Sequence, residues 1–185
     1  MSRTLVLGGA RSGKSAHAER LAAQSGKEVV YVATAGAGDA EMARRIALHR
    51  AARPGHWLTV EERLALAATL ARWRAPHRLV LVDCLTLWLT NLLFADGTEY
   101  PDVGEIALPA RFHEERAALL EQLARDDGDV VFVSNEVGMG IVPFGAVTRA
   151  FADEAGRLNQ AVAAACDRVV FVAAGLPLVL KGAPC

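Results

Sequence analysis

The chain has 185 residues, 52% of them hydrophobic and 22% charged, which suits one domain, 1–185, with a full core and excludes a disordered tail or a small stapled scaffold. A net charge of −1 leaves no single-sign field of the kind that draws nucleic acid or an anionic membrane. No apolar run approaches the ~18 residues of a membrane span, there is no signal-peptide pattern, and three cysteines without metal-ligand or CxxC spacing point to a reducing cytoplasm.

The first predicted element is a strand near 3–7, followed by a helix over 14–25 and a strand near 29–33. Helices over 40–52 and 61–73 come next, then a strand near 78–83 and a helix over 85–94. The segment 96–102 is loop by composition, and a helix follows over 110–126. The runs Val29-Val30-Tyr31-Val32, Val80-Leu81-Val82 and Val130-Val131-Phe132-Val133, the last within a strand near 130–134, are apolar on both faces, as strands buried between helix layers require. The clearest helix is 146–165, where Val147, Phe151, Ala155, Leu158 and Val162 form a stripe and Arg149, Asp153 and Arg157 a charged ladder on a solvated face. A strand near 169–173 and the run Leu178-Val179-Leu180 close an antiparallel edge hairpin. The alternation predicts an α/β fold with a mainly parallel sheet covered on both faces.

Between the first strand and the first helix stands Gly8-Gly9-Ala10-Arg11-Ser12-Gly13-Lys14-Ser15, which meets every defined position of G-x-x-x-x-G-K-[ST] in the context that the motif needs. Glycines let such a loop curl its N–H groups inward, and the helix behind it adds its N-terminal donors and partial positive charge. Lys14 is then placed to hold β/γ-phosphates and the Ser15 hydroxyl to ligate Mg²⁺. Asp83, at the end of the strand near 78–83, is a second candidate for Mg²⁺, unless it merely caps the helix that follows.

Nucleotide binding does not specify a reaction, so two further segments matter. In the first, Met42, Ile46 and His49 share a helical stripe, and a lone histidine there is usually core. Yet Arg45 sits one turn before His49, and Arg50 and Arg53 follow, so the local field favours neutral, nucleophilic imidazole and the arginines could clamp a triphosphate. The second segment is Ser134-Asn135-Glu136-Val137-Gly138-Met139-Gly140-Ile141-Val142-Pro143. Its Asn135 and Glu136 suit a substrate hydroxyl or a bound water, or else they cap a turn.

The chain resembles the bifunctional adenosylcobinamide kinase/adenosylcobinamide-phosphate guanylyltransferases of cobalamin biosynthesis. The resemblance rests on the phosphate loop, on Tyr31-Val32-Ala33-Thr34, on Arg45-Ile46-x-x-His49 with Arg53-Pro54 and Trp57, and on Thr90-Asn91-Leu92-Leu93-Phe94. The 134–143 run and Ala155-Gly156-Arg157-x-Asn159-Gln160 extend it over nearly the whole chain. It implies a RecA-like P-loop fold, a homotrimer, and phosphorylation of adenosylcobinamide by ATP or GTP followed by GMP transfer from GTP. It further implies that His49 carries the GMP covalently and that Ala33, Thr34, Ala35, Arg50, Ala51, Ala52, Arg53, Glu61 and Asp83 contact guanine nucleotide. Two other readings stay open: a P-loop small-molecule kinase with a structural His49, and a GTP-binding switch that offers a partner surface on Leu85–Phe94 with Trp88. An apolar surface near Trp88 or the 96–109 loop is also conceivable as the corrinoid's seat.

Overall fold

The computed structural model describes residues 2–36, 44, 54–95 and 97–183. Of the helix predicted over 40–52 only Arg44 lies among them, and Cys185 falls outside. In chain order the elements are β1 (Arg3–Gly8), α1 (Lys14–Gln24), β2 (Glu28–Ala33), β3 (Leu58–Glu61), α2 (Leu66–Trp73) and β4 (Arg78–Asp83). These are followed by α3 (Leu85–Phe94), α4 (Ala110–Leu123), β5 (Asp129–Asn135), α5 (Ala146–Ala165), β6 (Arg168–Ala173) and β7 (Leu176–Lys181).

The strands form one sheet in the order β3-β2-β4-β5-β1-β6-β7, parallel throughout except for the β6–β7 hairpin. The central strands are apolar on both faces because both are covered. One face carries α2 to α5 over Leu5, Val80 and Phe132, with Leu70, Trp88, Phe112, Leu119 and Leu158 buried between. The other face packs Ala18 and Ala22 of α1 over Val6, Tyr31, Leu81 and Val133. Because β5 lies between β1 and β4, its tip sits between the end of the P-loop strand and the end of the Asp83 strand. All six parallel strands finish on this carboxyl edge, where open α/β sheets bind ligands.

Several expectations need correction. Strand β3 was not expected, and the helix predicted from 61 begins only at Leu66. The turn between them is closed by Glu62, whose Oε1 accepts from the N–H groups of Leu64 and Ala65 at 2.8 Å each. This carboxylate satisfies donors at the entry to α2 that would otherwise be orphaned. Trp88 offers no surface, since it is fully buried and its Nε1 donates to Leu64 O at 2.8 Å. The charged ladder on α5 is also rearranged. Arg157 pairs with buried Glu154, which takes Arg116 at 2.8 Å as well, while Arg149 turns to the carbonyls of Pro143 and Phe144.

Candidate nucleotide-binding and transfer site

The phosphate loop is shaped by contacts that tolerate almost no side chain. A Cβ on Gly8 would lie 2.5 Å from both Ser12 Oγ and Val172 O, so only glycine lets β6 approach β1 so closely. Gly13 has φ +94° and a virtual Cβ 3.1 Å from Gly175 Cα, which makes it a left-handed pivot wedged against the β6–β7 turn. That turn is bound in return, because Gly175 N donates to Ser12 O at 2.8 Å. Arg11 is also left-handed at φ 58° and exposed, whereas Lys14 is buried with Nζ donating to Gly9 O at 3.2 Å. No side chain caps α1, so its first-turn N–H groups face the loop, where an anion is favoured. Ala10 is exposed on the loop and Ser15 is half-buried on the first turn of α1.

Asp83 ends β4 with its Oδ2 accepting from Tyr31 Oη at 3.0 Å. Ala33 stands level with Asp83 on one side and with Glu61 on the other, so β2, β3 and β4 finish together. Thr34 is buried and closes this corner. Its Oγ1 donates to Cys84 O at 2.7 Å and accepts from Cys84 N at 2.8 Å, its N–H goes to Asp83 O, and its own O accepts from Asn91 Nδ2 at 2.8 Å. Any nucleotide contact at Thr34 is therefore confined to what this commitment leaves. Ala35 lies directly beyond. Burial and the charge of Asp83 push the Cys84 thiol up, so it stays protonated and serves as packing rather than as a nucleophile.

Asn135 stands level with Gly8 at the tip of β5. Its Nδ2 donates to Thr86 Oγ1 at 2.7 Å, and its main-chain O accepts from Asn159 Nδ2 at 3.2 Å. The carboxamide is thus fixed from α3 on one side and the strand end from α5 on the other. Glu136 takes the turn-closing role that the sequence left open, with Oε1 accepting from Gly138 N at 2.6 Å. Its own N–H donates to Gly8 O at 3.1 Å, which ties the 134–143 segment to the phosphate loop.

The structure thus brings Gly8 to Ser15, Ala33 to Ala35, Glu61, Asp83, Asn135 and Glu136 to one edge. His49 and residues 50–53, which include Arg50, Ala51, Ala52 and Arg53, lie outside the described residues. Tyr31, Thr86, Asn91 and Asn159 were not singled out as functional. Each acts through a partner distant in sequence, so only Tyr31, Asn91 and Asn159, inside matching motifs, carried a signal. Among the described residues no group of three His, Cys, Asp or Glu side chains could hold a metal, and no helix is long and apolar enough to cross a membrane.

A mainly parallel sheet with a glycine loop wrapped on a helix N-terminus, and an acidic strand end nearby, defines a P-loop nucleoside-triphosphate-binding protein. The fold is shared with a prototypical ATPase from the type III secretion system of pathogenic bacteria (TM-score 0.57, 15% identity, 96% of this chain and 56% of that one). It is shared too with the ATPase EscN of enteropathogenic Escherichia coli (TM-score 0.55, 16% identity, 94% and 43%). The sequence profile of the cobinamide kinase / cobinamide phosphate guanyltransferase family matches residues 4–180, and the chain belongs to that family of enzymes. It is 58% identical over 98% of its length to the bifunctional adenosylcobalamin biosynthesis protein CobP of Pseudomonas aeruginosa, covering 99% of that protein. It is 44% identical to the CobU proteins of Escherichia coli K12 and Salmonella typhimurium LT2, over 96% of this chain and 98% of each.

Proposed function

We propose that residues 1–185 work as one transferase domain that phosphorylates adenosylcobinamide with ATP or GTP and then transfers GMP from GTP to the product, yielding adenosylcobinamide-GDP and pyrophosphate. The observation that carries this reading is the convergence of the Gly8–Ser15 loop, Asp83 and Asn135 on the carboxyl edge of a chain whose family performs both activities. Lys14 and the N–H groups around Gly9, Ala10, Arg11, Ser12 and Gly13 bind the β/γ-phosphates. Arg50 and Arg53, with Ala51 and Ala52 between them, flank the rest of the nucleotide, together with Ala33, Thr34, Ala35 and Glu61.

The donors fit Mg²⁺ in its phosphate-bound form: one hydroxyl at Ser15 and one carboxylate at Asp83, whose Oδ2 is already oriented by Tyr31. Ser15 and Asp83 would hold the ion with few protein ligands, leaving the phosphates to supply others. When bound, it neutralises charge on the phosphates.

In guanylyl transfer, a neutral His49 nitrogen attacks the α-phosphorus of GTP in line. The N–P bond forms as the bond to pyrophosphate breaks. An oxygen of adenosylcobinamide phosphate then attacks the same phosphorus, the N–P bond breaks, and the histidine is regenerated. Two displacements on a held phosphorus replace one encounter between two polyanions. In the kinase step, the loop presents the γ-phosphate to the aminopropanol hydroxyl, and positioning supplies most of the rate. Asn135 is placed to meet that hydroxyl or an ordered water. Glu136, spent on Gly138, is placed to shape the loop.

The setting that fits is cytoplasmic, with three copies associating. Leu176, Leu178 and Leu180 are exposed along one face of the edge strand β7, the kind of stripe that a second copy covers. The test of the chemistry is incubation with GTP labelled at the α- or the γ-phosphate, followed by peptide mass spectrometry. An acid-labile adduct on His49 carrying only the α-label is expected, and it disappears in His49→Ala. Full guanylyl transfer by that variant would sink the covalent scheme.

A further inference from the structure

Of the large apolar side chains exposed among the described residues, five fall on residues 137–144, between β5 and α5. Met139, Ile141, Val142 and Phe144 are 78%, 99%, 76% and 85% exposed. An apolar cluster of this kind on a folded surface marks a binding site more often than an accident. The loop is also held in place at both ends. Glu136 N donates to Gly8 O at 3.1 Å and Glu136 Oε1 accepts from Gly138 N at 2.6 Å at its start. At its end Arg149 donates to the carbonyls of Pro143 and Phe144. Between these anchors, the main chain of 139–142 makes none of the described hydrogen bonds, and a Cβ on Gly140 would meet nothing within 4 Å.

We propose that this loop is the docking surface for the corrin ring of the cobinamide substrate, an inference that rests on the functional reading above. A corrin ring is a broad apolar plate rimmed by amide-bearing side chains. The loop matches it in kind, with apolar side chains turned to solvent and main-chain N–H groups beside them to receive amide oxygens. It matches it in place as well. The anchor at Gly8 sets the loop against the phosphate site, so a ring seated on Ile141 and Phe144 sends its aminopropanol arm toward the phosphorus that reacts. Nucleotide and corrinoid then occupy adjoining surfaces, linked by the Gly8–Glu136 contact. Changing one should leave affinity for the other intact.

The experiment compares the full chain with Ile141→Ser, Phe144→Ser and the double variant. It measures KM for adenosylcobinamide and for nucleotide in the kinase assay, and nucleotide-free corrinoid binding by equilibrium dialysis. Loss of two apolar contacts should raise the corrinoid KM and dissociation constant of the double variant about 10-fold or more, with nucleotide KM and kcat at saturating corrinoid unchanged. Unaltered corrinoid affinity in folded variants overturns the proposal. So does a fall in sedimentation mass, which would make the loop a contact between copies. A wild-type chain that binds nucleotide but modifies no cobinamide fails the functional reading itself, and takes this inference with it.

Discussion

Asn135 shows how a residue acquires a role from its neighbours. Its side chain could have faced solvent at the tip of β5, but the 2.7 Å bond to Thr86 Oγ1 orients the carboxamide from the first turn of α3. The Thr86 hydroxyl can pass its own hydrogen to Cys84 Sγ at 3.1 Å, so the buried corner is satisfied from inside. Thr86→Val keeps the shape and removes the bond. Stability should fall by about 1 kcal/mol, and kcat by about 10-fold as Asn135 loses its orientation, with little change in nucleotide KM. The check is a double-mutant cycle with Asn135→Ala, in which Thr86→Val adds no further loss. Additive losses would show that Thr86 acts on something other than Asn135.

At the scale of elements, the phosphate loop is an assembly of β1, α1 and the β6–β7 turn. Gly13 pivots at φ +94° against Gly175, and Gly175 N holds Ser12 O. Gly13→Ala places an L side chain in the left-handed region and drives its methyl into the turn. Unfolding should be easier by about 1–3 kcal/mol in a denaturant titration. Nucleotide affinity should fall more steeply than stability, because the loop and turn shift together. An unchanged unfolding midpoint would show that the hairpin yields freely, and that its contact with the loop is incidental. Trp88 teaches the related lesson that an indole on a mostly apolar helix is as readily a core residue as a docking surface.

Across the whole molecule the two edges of the sheet divide the work. Chemistry collects on the carboxyl edge, while the amino edge is pinned by ion pairs. Arg3 binds Asp167 at 2.9 Å and holds its carboxyl below the usual range. Burial pushes the Asp129 carboxyl up, but the Lys27 ammonium and the Ser2 N–H, each at 2.8 Å, outweigh it and hold the group low. A carboxylate depressed in the folded state contributes stability that is fully present above its unfolded value of about 3.9 and is lost as pH falls through the folded value. His17 adds a limb at higher pH. Burial, with Arg20 and Arg168, lowers its imidazole, so stability is full above about 6.5 and declines as pH falls from there toward the folded value. Melting temperature followed against pH should therefore fall in two stages below neutrality. Asp129→Asn should flatten the lower stage alone, and an unaltered acid limb in that variant would remove Asp129 from the account.

Much of this protein was legible in its residues. The Gly8–Ser15 motif, the doubly apolar strands and the long periodic helix 146–165 are local patterns, and local patterns report phosphate binding, a buried parallel sheet and a helix face without tertiary help. The 134–143 run and the other matching segments carried the family, and the family profile over residues 4–180 agrees. What remained hidden was whatever depends on partners far along the chain. β3 is a four-residue strand made by pairing with β2, too short to announce itself. Only strand order put the tip of β5 between the phosphate loop and Asp83, joined Thr86 and Asn159 to Asn135, and buried Trp88 while leaving Ile141 and Phe144 in water. Periodicity says which side of an element is apolar, but packing decides whether that side meets the core or the solvent.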